Sequence, residues 1–205
     1  MAGAADFADY SLAGAGVTVL LTTTGFQDTG GAGHDELISI EKVVGSNFGD
    51  VIYGDSNPNT LFGEGGDDYI DAGANDDILY GNAGADSLIG GLGQDVMTGG
   101  SGSDVFYFFD IAESTAAKPD TITDFTSGQD LIDLSDIDAD TTVANDQAFH
   151  LGGGGGHAGD LIVHAFDAVH NRTQIDLYVD NNASVDAAIW LTGDHHGLTA
   201  SDFVL

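Results

Sequence analysis

The chain has 205 residues, of which 34 are Asp or Glu and 3 are Lys or Arg, giving a formal net charge of −31. That balance excludes nucleic acid and anionic membrane surface as electrostatic partners, because both require a basic face that displaces counterions, and it points to cations instead. With 42% apolar and 9% aromatic residues the chain can still bury a core, and the absence of Cys excludes disulfides, thiolate metal sites and a thiol nucleophile.

No apolar run approaches the roughly 18 residues of a membrane-spanning helix. The start, Met1-Ala2-Gly3-Ala4-Ala5-Asp6, lacks the basic region and apolar core of a secretory signal peptide. No separate N-terminal domain is visible, so the chain is expected to begin inside a longer protein, with any export address elsewhere.

The first predicted element is a strand over residues 17–21, VTVLL. A nine-residue unit, GGAGHDELI, follows at residues 30–38 with Asp35 in its sixth place, and residues 39–44 separate it from a longer array. From Gly45 to Tyr107 the chain repeats with a period of nine and no insertion: GSNFGDVIY, GDSNPNTLF, GEGGDDYID, AGANDDILY, GNAGADSLI, GGLGQDVMT and GGSGSDVFY. The sixth place holds Asp50, Asn59, Asp68, Asp77, Asp86, Asp95 and Asp104; the eighth holds Ile52, Leu61, Ile70, Leu79, Leu88, Met97 and Phe106.

A period of nine fits neither a heptad nor an amphipathic helix, and glycine at this density opposes a helix by up to about 1 kcal/mol per residue. Places one to six hold Gly, Asn and Asp, which accept tight-turn geometry. Places seven to nine form a short β-prone triplet with an apolar centre. Each unit is therefore one turn and one short strand. Stacking alternate units predicts an all-β fold, a right-handed parallel β-roll in which two units complete a circuit and the eighth places meet in a narrow core.

This pattern, G-G-x-G-x-D-x-U-x, resembles the RTX, or haemolysin-type calcium-binding, repeat. The resemblance implies Ca²⁺, a hard ion that takes oxygen ligands, and the turns supply carboxylates and unhindered carbonyls with no soft donor. Stacking places Asp50, Asp68, Asp86 and Asp104 in one row and Asn59, Asp77 and Asp95 in the other. By analogy with the family, carbonyls at the second and fourth places complete the shell, here Gly66, Gly73, Gly84, Gly91, Gly93, Gly100 and Gly102, beside the first-place Gly63 and Gly81. Asp35 of the upstream unit is a further ligand that the resemblance implies, and Asp120, just past the last repeat, is the expected closing ligand, with Glu113 a looser match. Adjacent pairs give about five ions carrying about +10, against 11 acidic and no basic residues in the array. Unit two, with Asn59 and Pro58, and unit one, with Phe48 in place of Gly, are the degenerate members.

Residues 1–44 read as an N-terminal strand with a degenerate repeat and spacer, 45–107 as the roll, and 108–205 as a C-terminal β-rich cap of antiparallel or sandwich type carrying a secretion signal. The run 105–109, VFYFF, is too apolar for an exposed strand. Residues 120–125, DTITDF, and 130–134, DLIDL, follow, and runs at 161–166, 174–179 and 187–191 alternate as half-buried strands do. Their order resembles the C-terminal cap of serralysin-type secreted proteins, and the roll needs a cap because an open end exposes core and an unpaired edge. The final Asp202-Phe203-Val204-Leu205 resembles the uncleaved signal of type I-secreted proteins. Asp180, Asn182, Ser184 and Asp186 read as a strand-connecting turn, and Gly152 to Gly156 as a mobile loop.

The 7 His residues include no HExxH, and neither a G-x-S-x-G elbow nor a phosphate-binding GxxxxGK[ST] loop is present. Their scatter among strands favours surface positions. The expectation is a non-enzymatic, monomeric, calcium-binding RTX module, secreted to the extracellular space by a Gram-negative type I (ABC) exporter. It would stay unfolded inside the cell and fold on Ca²⁺ outside. Alternatives are the C-terminal part of a secreted protease, lipase or alginate epimerase, or a module that binds polysaccharide.

Overall fold

A computed structural model describes residues 6–23, 25–142, 147–152 and 157–205. The glycine run read as a mobile loop lies outside the described residues except for Gly152, which bridges to Leu161.

Among the described residues the strands are β1 (Phe7–Asp9), β2 (Thr18–Leu20), β3 (Phe26–Asp28), β4 (His34–Glu36), β5 (Lys42–Val44), β6 (Val51–Asp55), β7 (Thr60–Gly65), β8 (Tyr69–Gly73), β9 (Ile78–Ala83), β10 (Ser87–Ile89), β11 (Val96–Ser101), β12 (Val105–Tyr107), β13 (Asp120–Ile122), β14 (Leu131–Asp133), β15 (His150–Leu151), β16 (Asp160–Val163), β17 (Arg172–Leu177), β18 (Ala187–Thr192) and β19 (Phe203–Val204). Alternate strands join alternate sheets. One sheet runs β1-β5-β7-β9-β11-β13-β18-β17-β16-β15 and the other β19-β14-β12-β10-β8-β6-β2. This is the parallel β-roll that the nine-residue period predicts: Val51 pairs with Tyr69, Tyr69 with Ser87 and Ser87 with Val105, each two units further on.

The eighth places make the core. Ile52, Leu61, Ile70, Leu79, Leu88, Met97 and Phe106 are all fully buried, because a strand triplet points its centre to one face and its flanks to the other. Val19 and Val43 continue this column upstream, paired with Ile52 and Leu61, so the N-terminal strands β2 and β5 belong to the coil. The unit at 30–38 does not. Its strand β4 pairs antiparallel with β3 as a separate hairpin. The six residues 39–44 shift it out of the two-unit register, and its strand falls on places five to seven rather than seven to nine.

The cap extends both sheets. Ile122 pairs with Met97 and Ile132 with Phe106, but the spacings are 25 and 26 residues instead of 18, because the segment after β12 is inserted. Beyond β13 the ten-stranded sheet changes to the antiparallel hairpins β16-β17-β18. The other sheet ends on β19, whose Phe203 pairs with Ile132 and is buried. Asp202, fully buried in the 3₁₀ turn Ala200–Asp202, accepts the N–H groups of Gly128 at 2.8 Å and Thr199 at 2.7 Å, anchoring this last strand.

Candidate metal centre

Stacked turns place the sixth-position side chains in two rows, each held by the same contact. In the first row, the Asp50 N–H donates to Asp68 Oδ1 at 2.7 Å, Asp68 N–H to Asp86 Oδ1 at 2.9 Å, Asp86 N–H to Asp104 Oδ1 at 2.9 Å, and Asp104 N–H to Asp130 Oδ1 at 3.1 Å. In the second, Asn59 N–H donates to Asp77 Oδ1 at 2.6 Å, Asp77 N–H to Asp95 Oδ1 at 2.8 Å, and Asp95 N–H to Asp120 Oδ1 at 2.7 Å. Every one of these carboxylates lies within the protein rather than on its surface, with at most 5% exposure at Asp130.

The other oxygen of each interior member has nothing to bind. Oδ2 of Asp68, Asp77, Asp86, Asp95, Asp104 and Asp120 is buried without a hydrogen-bond partner, as is Nδ2 of Asn59. The ends of the first row differ. Asp50 accepts from Val17 N–H at 2.7 Å, Ser46 N–H at 2.5 Å and Ser46 Oγ–H at 2.8 Å, and Asp130 Oδ2 accepts Thr126 N–H at 2.7 Å. Protein donors close the row at both ends and leave its middle open.

Such oxygens are costly as anions. Burial is the leading cause that pushes the carboxyls of Asp68 up to about 8, Asp77 to about 7, Asp86 to about 6, Asp95 to about 7 and Asp120 to about 9, with neighbouring carboxylates raising them further. Asp104 is raised for the same reasons. The ladder N–H bonds act in the opposite direction and do not suffice. Glu113, itself raised by burial, adds to the negative potential at Asp95 and Asp120.

Glycine keeps room beside four of the open oxygens, those of Asp68, Asp86, Asp95 and Asp104. A Cβ on Gly63 would stand 2.1 Å from Asp68 Oδ2, and one on Gly81 would stand 2.2 Å from Asp86 Oδ2 and 2.6 Å from the Gly99 carbonyl oxygen. On the same edge Gly66, Gly84, Gly100 and Gly102 form the stacked turns; a Cβ on Gly84 would lie 1.9 Å from the Gly66 oxygen and one on Gly102 1.5 Å from the Gly84 oxygen. Gly73, Gly91 and Gly93 occupy the second edge, where a Cβ on Gly91 would meet the Gly73 oxygen at 2.1 Å. Carboxylate and carbonyl oxygens thus converge at the turns. Among the described residues no three His, Cys, Asp or Glu side chains gather tightly enough to hold an ion by themselves. A cation at these turns would therefore be held by at most two carboxylates together with backbone carbonyls, a donor set that fits Ca²⁺ and not Zn²⁺.

Asp35 is not brought to either row: it lies in the β3-β4 hairpin and accepts the Thr29 hydroxyl at 2.8 Å. Asp130 was missed by the sequence reading, though 125–133, FTSGQDLID, carries Gly128, Asp130 and Ile132 at places four, six and eight of the repeat. Asp124, also missed, accepts the N–H groups of Gly99 at 2.9 Å and Gly100 at 2.8 Å. The residues of the 180–186 turn cap one another, Asn182 N–H donating to Asp180 at 2.9 Å and Ser184 N–H to Asn182 at 2.7 Å.

Fold and site together define a parallel β-roll of nonapeptide repeats with carboxylate-lined turns. A family model described as "Peptidase M10 serralysin C terminal" matches residues 2–205, and the chain belongs to that family, the non-catalytic C-terminal part of serralysin-type proteins. The RTX-type resemblance of the repeats agrees with it. Metalloprotease AprA of Pseudomonas entomophila (strain L48) is 38% identical over 88 residues, which are 43% of this chain and 18% of that protein. The chain therefore matches only a small part of this relative's length. Among solved structures, the AlgE6R3 subunit of the Azotobacter vinelandii mannuronan C5-epimerase is 30% identical, with a TM-score of 0.45 and coverage of 78% of this chain and 80% of that one. The AlgE6R2 subunit of the same enzyme is 30% identical with a TM-score of 0.48, covering 80% and 92%.

Proposed function

We propose that this chain is a calcium-binding module that folds when Ca²⁺ fills the turns of its roll, outside the cell, and that it supports the type I (ABC) secretion and the stability of the protein to which it belongs. The observation that carries the reading is the set of six buried Oδ2 atoms without a hydrogen-bond partner, three in each row. A hard cation supplies what the protein withholds: it accepts lone pairs from Oδ2 and from turn carbonyls, and it cancels charge that burial makes unfavourable. The residues that would hold it are Asp68, Asp86 and Asp104 on one edge and Asp77, Asp95 and Asp120 on the other, with Gly63, Gly66, Gly81, Gly84, Gly100 and Gly102, and Gly73, Gly91 and Gly93, leaving space and carbonyls. This favours six sites, one more than adjacent pairs within the array suggest, because Asp120 lengthens the second row.

Extracellular modules bind Ca²⁺ at about 10⁻⁴–10⁻³ M, far above cytosolic levels, so the same carboxylates would hold the chain open inside and lock it outside. Membership of the serralysin C-terminal family supports the secreted location. The test is equilibrium dialysis of the full chain against Ca²⁺ and Mg²⁺ at neutral pH. About six Ca²⁺ bound, with Mg²⁺ unable to compete, is the expected result; no bound Ca²⁺ at millimolar concentration would overturn the reading.

The partial match to AprA favours one companion reading, a peptidase domain elsewhere in the same gene. Coding sequence upstream of Met1 with an HExxH helix would support it, and its absence would remove it.

A further inference from the structure

We infer that Ala72 makes the turn of Asp77 a reduced-affinity site within the roll; the inference rests on the calcium reading above. In six of the seven contiguous units the first place is Gly, and only unit four has a side chain there. The geometry gives that exception a consequence. A Cβ at Gly45, Gly54, Gly63, Gly81, Gly90 or Gly99 would stand between 2.1 and 2.6 Å from a sixth-place side-chain oxygen of the same unit. At Gly45, Gly54, Gly63 and Gly81 a carbonyl oxygen of the following turn also lies close, such as Gly81 O at 2.9 Å from a Cβ on Gly63 and Ala72 O at 2.2 Å from one on Gly54, whereas at Gly90 and Gly99 the other near atoms belong to the aspartate itself. First-place glycine therefore keeps open the space beside the sixth-place side-chain oxygen, and at Gly45, Gly63 and Gly81 that space lies between a carboxylate and a carbonyl.

At Ala72 the repeat puts a methyl at the equivalent place. The residue is fully buried, so the methyl cannot turn aside into solvent, and Asp77 is buried with an Oδ2 that no protein donor satisfies. Asp77 consequently keeps the charge of a ligand but shares its cradle with an apolar group, unlike Asp68 and Asp86 in the first row. Its neighbour in the second row, Asn59, lacks a carboxylate, so this end of the second edge has two separate handicaps. The nine-residue pattern shows the second handicap and hides the first, since Asp77 matches the repeat at its sixth place.

Isothermal titration of the full chain with Ca²⁺ alone tests this, comparing wild type, Ala72→Gly and Gly81→Ala. Ala72→Gly should tighten the weakest component of the isotherm roughly tenfold, the scale of relieving one overpacked methyl. Glycine itself favours the unfolded chain, so tighter binding cannot come from the backbone. Gly81→Ala should create a second weak component, with circular dichroism at saturating Ca²⁺ checking that it folds. If the wild type binds Ca²⁺ and Ala72→Gly leaves the isotherm unchanged or weaker, the inference fails while the calcium reading stands. If no variant takes up Ca²⁺, the calcium reading fails and this inference with it.

Discussion

Each interior aspartate divides its work between two oxygens. Oδ1 accepts the N–H of the aspartate or asparagine one circuit earlier and sets the spacing of the turns; Oδ2 is left for a cation. At the N-terminal end Asp50 has Val17 and Ser46 as donors, so its role is to finish the row. Asp86→Asn should therefore raise the calcium midpoint of folding about tenfold, and Asp50→Asn much less; equal shifts would contradict the division of roles. The pH dependence follows from the raised carboxyls. Groups at about 6 to 9 in the metal-free roll have an ordinary value of 3.8 when unfolded, so their protonation stabilises the fold fully below 3.8 and is lost as pH rises through their folded values. In EGTA, strand signal should grow as pH falls from about 7.5 to about 5. A flat response would mean that the carboxylates do not oppose the metal-free fold.

Periodicity made the strands of the roll legible, because a buried eighth place every nine residues leaves one stacking solution. The members of both rows within the array, Asp50 to Asp104, were legible for the same reason. Legibility failed where register did. The hairpin β3-β4 carries a full repeat, but the six-residue offset leaves it no partner one circuit away, and Asp35 goes with it. In the cap the 25- and 26-residue spacings hid Asp130, although Gly128, Asp130 and Ile132 keep the repeat's places. The last strand depends on one buried carboxylate. Asp202→Ala removes the acceptor of the Gly128 and Thr199 N–H groups and should lower the stability of the calcium-loaded chain by about 2 kcal/mol, read by chemical unfolding in excess Ca²⁺. An unchanged midpoint would show that β19 holds without it.

For the whole molecule the question is where positive charge comes from. Of the three basic residues, Lys42 lies 4.7 Å from the ring centroid of Phe62 and Arg172 lies 3.7 Å over Trp190, while Lys118 reaches Asp76 at 2.9 Å on the surface. None of these contacts neutralises the buried rows. Six Ca²⁺ would supply about +12 against a net charge of −31, and they would do so where burial makes charge most expensive. The narrow core between two thin sheets cannot offset that repulsion alone. The most direct test is a far-UV circular dichroism titration of the full chain with Ca²⁺ at neutral pH. The account predicts a disordered spectrum in excess EGTA and a cooperative gain of strand signal at millimolar Ca²⁺; an unchanged, strand-rich spectrum in EGTA would contradict it.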